Sequence, residues 1–258
     1  MSDSSGITPV VQKPDLKSHV EREGYAVISE CIPLALIEKL CSLTDAARNQ
    51  GDSELRVTSA GGTFALRNLT DAVPQVCELL RVSALRQIIR EVVSDPAFLV
   101  RATLFDKTPG SNWGVFWHQD LSIAVREKHE MSGFHAWTRK AGVQTVQPPT
   151  AIMEQILAVR IHLDDCNEDN GALRVLPGTH QSDRLASDAV EQQVQQRQEV
   201  VCCVPAGGII LMKPLLLHAS SPMHIPTSRR VIHFEIAATE LPPPLQWHFH
   251  IPVFRESN

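Results

Sequence analysis

The stretch "ILAVRIHLDDCNEDNGALRVLPGTH" at positions 156–180 decides the predicted fold. It begins with an apolar run at 156–163 and returns to one at 172–176, and the residues between them are mostly Asp, Asn, Glu and Gly, which favour turns. Short runs rich in Val, Ile and Leu with turn residues on both sides are typical of β-strands. The stretch therefore predicts two strands joined by a turn.

Four more runs of the same kind lie on either side of this stretch. They read "AFLVRATLFDKT" (97–108), "EVVCCVPAGG" (199–208), "GIILMKPLLLHAS" (208–220) and "RRVIHFEIAAT" (229–239). Short strands separated by Gly, Pro, Asn or Asp are typical of antiparallel sandwiches and barrels. The back of the chain therefore predicts a β-sandwich core.

The front of the chain has helical patterns instead. Helices are predicted at 15–24 and 33–51 because each has start and stop signals, and apolar residues return at helical spacing over 71–95. The strand "YAVISECI" lies between the first two helices. We expect these helices to brace the β-sandwich.

We expect one domain over residues 1–258. Its parts are a flexible tail at 1–14, a helical front at 15–96 and a β-rich core at 97–240. Residues 113–149 form a long excursion that we predict to be irregular, and segments of that kind often cover a site. We expect 121–149 to form a lid.

Composition excludes several classes of protein. The formal net charge is −5 and no basic block occurs, so neither nucleic acid nor an anionic membrane surface is expected as a partner. No apolar run approaches the roughly 18 residues of a membrane span, and the N-terminus lacks the layout of a signal peptide. A cytoplasmic location is expected.

The 6 cysteines are predicted to be reduced thiols in the core. They lie in apolar segments and form no CxxC pair. This pattern argues against a disulfide framework and against a structural zinc site.

The stretch "FWHQD" at 116–120 places His118 and Asp120 two residues apart. In an extended segment these side chains share a face, so both can bind one metal ion. A His-x-Asp pair is nevertheless expected by chance about half a time in a chain of this composition. The pair needs support from elsewhere in the sequence.

That support comes from His218, at the end of an apolar run, and from Arg229 and Arg230, which open the last strand. Two imidazoles and one carboxylate on one face of a metal leave open positions for a co-substrate and dioxygen, as in non-haem Fe(II) oxygenases. An arginine on an adjacent strand can hold a dicarboxylate bidentately. Adjacent strand residues face opposite sides, so only one of the two arginines can do so.

Four stretches, in this order and at these spacings, resemble the phytanoyl-CoA dioxygenase family of Fe(II)/2-oxoglutarate-dependent oxygenases. They are "WHQD", "RIHLDDCNEDNGALRVLPGTH", "PAGGIILMKPLLLHASS" and "RRVIHFEIA". The resemblance covers about residues 97–240 and implies a double-stranded β-helix, the jelly roll or cupin-like core, with flanking N-terminal helices. It also implies Fe(II) as the cofactor and 2-oxoglutarate and O2 as co-substrates.

The resemblance further implies the roles of five residues. His118, Asp120 and His218 would be the catalytic iron ligands, Arg229 would hold the distal carboxylate of 2-oxoglutarate, and Ser220 would be its hydroxyl partner. The family spacing favours Arg229 over Arg230.

Two further residues are candidates for the co-substrate pocket. Trp137 lies near the place where the family often has an aromatic residue beside 2-oxoglutarate, one position further from the metal motif than expected. Arg67 is a candidate second basic residue.

Other polar residues have structural explanations. His162 lies in a strand interior and is predicted to be a core histidine. Asp164 and Asp165 form either a paired acid and base or the turn at the end of a strand. The turn explains both residues without catalysis.

The implied reaction is hydroxylation, or another oxidation, of an unactivated C–H bond in a small organic metabolite, with release of succinate and CO2. Halogenating relatives leave the aspartate position vacant for halide, whereas Asp120 fills it here. Aromatic residues near the metal motif suggest an apolar or ring-containing substrate. Because no strongly basic patch occurs, a coenzyme A ester is not expected.

Two alternatives remain open. A cupin-type metalloenzyme that does not use 2-oxoglutarate would keep its activity when Arg229 is replaced. A non-catalytic sensor would bind iron and 2-oxoglutarate but show no substrate-stimulated oxygen uptake.

Overall fold

The computed structural model describes residues 16–50, 56–59, 62–110, 112–140, 142–225 and 227–254. The tail predicted at 1–14 lies outside the described residues. No helix within these ranges is both long and apolar enough to cross a membrane.

Antiparallel sheets dominate the described chain, which confirms the predicted mainly β class. The main sheet has the order β1 (Tyr25–Ile28), β12 (Ile209–Met212), β9 (Ile156–His162), β14 (Arg229–Ala237), β4 (Phe98–Lys107), β3 (Gly62–Leu66) and β2 (Arg56–Ser59), with β15 (Ile251–Pro252) beside β4. The second sheet has the order β11 (Val200–Cys202), β10 (Leu173–Val175), β13 (His218–Ser220) and β5 (Val115–His118).

Helices cover the outer face of the main sheet, as predicted for the front of the chain. They are α1 (Leu16–Glu23), α2 (Leu34–Gln50), α3 (Leu69–Ala72) and α4 (Ser83–Val92), with a 3-10 helix at Pro74–Arg81; α5 (Thr150–Glu154) and α6 (Ser187–Gln196) follow later. Leu40 and Ile89 from these helices join Ile232 and Phe234 from β14 in one buried apolar cluster. Burial of this cluster fixes which face of β14 points outward.

One predicted strand was wrong. The apolar run at 208–220 forms two strands in different sheets, β12 and β13, and His218 begins the second strand. The break falls at Lys213 and Pro214, because proline has no amide hydrogen to donate to a sheet. The Lys213 amide instead donates to the Gly24 carbonyl at 2.8 Å.

Strands make up about half of the segment predicted to be irregular. β6 (Ile123–Val125), β8 (Val143–Gln147) and β7 (His135–Lys140) form a third antiparallel sheet. Its apolar residues share one buried cluster with the fully buried Trp247 and with Phe98 and Val100 of β4, so this sheet packs against the main sheet. Val143 and Thr145 from β8 reach the cavity between the other two sheets.

Candidate metal centre and co-substrate pocket

Three side chains from two adjacent strands and one loop meet at one end of the second sheet. His118 ends β5 and stands opposite His218 of β13, with 4.2 Å between the ring centroids. Asp120 follows two residues later, and its amide donates to the Pro214 carbonyl at 2.9 Å. One ligand atom from each of the three residues lies within 4.8 Å of the others.

The two imidazoles are oriented by the backbone. Nδ1 of His118 lies 2.8 Å from the Phe116 carbonyl, and Nδ1 of His218 lies 2.8 Å from the Leu216 carbonyl. A carbonyl oxygen only accepts, so Nδ1 must carry the hydrogen in both rings. Each Nε2 is therefore left as an acceptor, facing Asp120 at 3.9 Å and 3.7 Å.

The electrostatics of the site suit a divalent metal. Burial lowers the pKa of His218 to about 4, so its ring is neutral at physiological pH. Burial opposes ionisation of Asp120, yet the positive charges that His218 and His233 carry when protonated, together with the Arg160 guanidinium, outweigh it and hold the pKa of Asp120 below its ordinary value. Neutral imidazoles with an ionised carboxylate are the donor set that Fe(II) takes in oxygenases.

A cavity of about 280 Å³ extends from this triad between the main and second sheets. Its polar wall consists of alternate residues on three strands of the main sheet. These residues are Arg101, Thr103 and Lys107 on β4, Arg160 on β9, and Arg229, His233 and Glu235 on β14.

Arg229 and Lys107 lie opposite each other at one end of this wall. Arg229 is 2% exposed, donates to the Gly171 carbonyl through one guanidinium nitrogen, and has a buried Nε without a partner in the described chain. Lys107 donates to Ser220 Oγ at 3.0 Å and to the Ser221 carbonyl at 2.6 Å. Two cations and a hydroxyl therefore share one small volume, which suits a carboxylate.

Arg230 faces the opposite side of β14. It holds Asp164 in two hydrogen bonds, from Nε at 2.9 Å and from Nη2 at 2.6 Å, and pairs with Asp45 at 3.0 Å. Asp165 accepts a hydrogen bond from the Ala206 amide at 2.8 Å. These contacts explain Asp164 and Asp165 as structural residues, and they leave Arg229 as the arginine on the cavity side.

The two other pocket candidates have different surroundings. Arg67 lines the cavity. Trp137, on β7, packs against the apolar cluster of the third sheet, with Lys128 Nζ 5.9 Å from its ring centroid. Trp137 is not among the described residues that line the cavity, so the structure does not bring it together with the triad.

Lys107, Arg160 and His233 line the cavity and were not predicted as site residues. Arg160 donates to Nδ1 of His233 at 3.2 Å, and burial, with a contribution from Arg229, lowers the pKa of Arg160 to about 10. The sequence did contain a pattern that could have predicted these residues. In "RRVIHFEIA", polar residues at 229, 233 and 235 all lie on one face of a strand. Polar residues at alternate positions of a buried strand indicate a cavity on that side.

His162 is another buried polar residue of the main sheet. It is 1% exposed and neither ring nitrogen has a partner among the described residues. Burial lowers its pKa well below the ordinary value, so the ring is neutral. Its position in β9 agrees with the predicted core histidine.

A jelly-roll core with two imidazoles and a carboxylate in the lining of a cationic cavity has the donor set of Fe(II)-dependent oxygenases. The sequence model of phytanoyl-CoA dioxygenase matches residues 20–231, and the chain belongs to that family. It is therefore an Fe(II)/2-oxoglutarate-dependent dioxygenase.

Solved structures of low sequence identity share the fold. AviO1 from Streptomyces viridochromogenes superposes with a TM-score of 0.65 at 21% identity, covering 92% of this chain and 99% of that one. EctD from S. alaskensis, solved with 2-oxoglutarate and 5-hydroxyectoine, gives 0.69 at 16% identity over 92% and 79%. SnoK, an α-ketoglutarate-dependent carbocyclase from nogalamycin biosynthesis, gives 0.68 at 12% identity over 91% and 88%. No curated protein sequence matches the chain.

Proposed function

We propose that this dioxygenase hydroxylates an unactivated C–H bond of a small organic molecule and converts 2-oxoglutarate to succinate and CO2. One observation carries the proposal: the triad and the cationic end at Arg229 face the same cavity. The metal site and the site for a dicarboxylate are thus within reach of one small ligand.

Each residue has a distinct part in this proposal. His118, Asp120 and His218 would hold Fe(II) through two Nε2 atoms and a carboxylate oxygen. Arg229 would bind the distal carboxylate of 2-oxoglutarate with the buried Nε that lacks a partner, and Ser220 would donate its hydroxyl hydrogen. When bound, Fe(II) and 2-oxoglutarate together supply the activation of dioxygen.

The chain itself supplies positioning and exclusion of water. Phe105, Leu173 and residues of the third sheet line the cavity, so a substrate held against them would present one C–H bond to the metal. Asp120 occupies the ligand position that a halide would need. Hydroxylation is therefore favoured over halogenation.

The test is a screen of small organic molecules with the Fe(II)-loaded protein, following oxygen uptake, succinate and product mass together. The proposed function predicts a substrate that gains one oxygen atom with one succinate released per turnover. A product without succinate would instead identify a cupin-type enzyme that does not use 2-oxoglutarate. Binding of 2-oxoglutarate with no stimulated oxygen uptake across the screen would favour a sensor.

A matched pair of variants makes the screen specific. His118→Ala removes an iron ligand, whereas Arg126→Gln changes an exposed arginine whose side chain contacts Gln246. Substrate-dependent succinate release should disappear in the first variant and persist in the second. Equal activity in both variants would contradict the assignment of the metal site.

A further inference from the structure

The cavity carries an excess of positive charge. Cationic side chains outnumber anionic ones by six to two along its described lining, although the whole chain has a formal net charge of −5. The cations are Arg67, Arg101, Lys107, Lys140, Arg160 and Arg229, and the anions are Asp120 and Glu235.

The metal and co-substrate of the proposed function do not remove this excess. Fe(II) brings two positive charges and 2-oxoglutarate brings two negative ones, so loading both leaves the balance unchanged. Charges away from bulk water are costly unless they are paired. Lys140 is exposed to solvent, but a further anion would stabilise the more buried cations of the loaded cavity.

Two of these cations mark the opposite ends of the β4 part of the wall, and Arg160, which stands opposite His233, lies between them. Lys107 stands opposite Arg229, and Arg101 stands opposite Glu235 six residues away on the same pair of strands. Six residues of strand span about 20 Å. The terminal carbons of a five-carbon diacid are only about 5 Å apart, so a co-substrate held by Arg229 leaves the Arg101 end free.

At that end, Arg101 pairs with a carboxylate and, over the described ranges, Arg67 does not. Arg101 pairs with Glu235 at 2.8 Å and donates to the Ser122 carbonyl at 3.1 Å, and its Nη2 is buried without a partner in the described chain. Arg67 makes no hydrogen bond or ion pair with any residue that the structure describes. Burial, and the proximity of Arg101, lower the pKa of Arg67.

We infer that Arg67 and Arg101 form an anion subsite for the substrate, so that the molecule oxidised carries a carboxylate or a phosphate group. This inference rests on the proposed function and adds the chemical class of the substrate. Val143 and Phe249 line the same cavity and would contact the apolar part of that molecule.

Matched pairs of small molecules test the subsite directly. The protein is loaded with Ni(II), which keeps it from turning over, and with saturating 2-oxoglutarate, which occupies the Arg229 end. Calorimetry then compares phenylacetate with phenylacetamide, and phenyl phosphate with phenol. We expect each anion to bind about tenfold more tightly than its neutral partner, the difference that one charge-assisted hydrogen bond provides.

Variants of Arg67 assign the preference to the subsite. Arg67→Gln should abolish the preference for the anion, Arg67→Lys should keep most of it, and the exposed control Arg126→Gln should leave it unchanged. The stronger-binding anion decides between a carboxylate and a phosphate substrate.

Several outcomes would overturn the inference. The first is that the anion and its neutral partner bind equally well, and the second is that the preference for the anion survives Arg67→Gln. The third is that protein which still binds 2-oxoglutarate binds no anion at millimolar concentration. Loss of 2-oxoglutarate binding in Arg67→Gln would assign Arg67 to the co-substrate instead. Failure of the unmodified protein to bind 2-oxoglutarate in the presence of metal would be a failure of the proposed function, and calorimetry detects it separately.

Discussion

The two arginines that open β14 are neighbours in sequence and opposites in environment. Arg230, on the helix side, has a full set of carboxylate partners in Asp164 and Asp45. Arg229, on the cavity side, is more deeply buried, and its Nε has no partner among the described residues. A buried cation with satisfied donors stabilises the fold, whereas one with unsatisfied donors is prepared for a ligand.

The same contrast holds across the whole main sheet. Its outer face buries Ile232 and Phe234 against the helices, and its inner face presents Arg229, His233 and Glu235 to a cavity. The outer face is explained by packing alone. The inner face costs stability unless ligands compensate its charges, which is the physical reason to assign function to it.

Loss of a metal ligand should give the largest effect on the cavity side. His218→Ala removes an imidazole that is fixed by the Leu216 carbonyl, so we expect iron binding to fall below detection and substrate-dependent succinate release to be lost. Metal content after dialysis and succinate release measure both effects. Retention of stoichiometric iron would show that the triad is not the metal site.

Substitution of each arginine in turn tests directly whether the cavity side and the helix side of β14 are assigned correctly. Arg229→Gln should raise the KM for 2-oxoglutarate about 10- to 100-fold, because a hydrogen bond to a charged group contributes about 1.5–3 kcal/mol. Arg230→Gln should leave that KM within about twofold but lower the free energy of unfolding by about 1–3 kcal/mol, since Asp164 loses its partner. Kinetics and urea unfolding measure the two effects, and an exchange of phenotypes would show that the faces are assigned the wrong way round.

Lys107 should make co-substrate binding depend on pH. Burial, followed by repulsion from Arg229, lowers the pKa of Lys107 to about 7, so the amine loses its proton as the pH rises through that value. A dianion prefers the protonated amine, and affinity for 2-oxoglutarate should therefore fall above about pH 7.

Calorimetry between pH 6 and 9 measures this dependence, with Lys107→Met as the comparison. The variant should bind 2-oxoglutarate more weakly below pH 7, and its affinity should change little with pH. An identical pH profile in both proteins would contradict a role for Lys107 at this site.

The smallest effect is expected for Trp137. Sequence resemblance suggested this residue as a co-substrate contact, but its ring packs in the third sheet outside the cavity lining. Trp137→Phe should leave the KM for 2-oxoglutarate within about twofold, because the replacement keeps most of the buried apolar area. A KM increase as large as that of Arg229→Gln would place Trp137 at the site in the working enzyme.

Much of the fold and of the metal centre could be predicted from local patterns. The strands alternate in polarity or are continuously apolar, the helices have start and stop signals, and the His-x-Asp pair gains meaning from His218 and Arg229 at their spacings. The division of the apolar run at 208–220 and the strands within 121–149 were missed, because short apolar runs do not reveal which sheet they join.

Sequence patterns predicted the mainly β class of fold, both parts of the metal motif and two adjacent arginines of which one would bind 2-oxoglutarate. The folded structure placed Arg229 on the cavity side and Arg230 on the helix side, brought Lys107 and Arg160 into the cavity lining, and left Trp137 outside that described lining. The physical reason is that ligand binding depends on which face of a strand is buried against apolar helices, and that is settled by contacts between residues far apart in the chain.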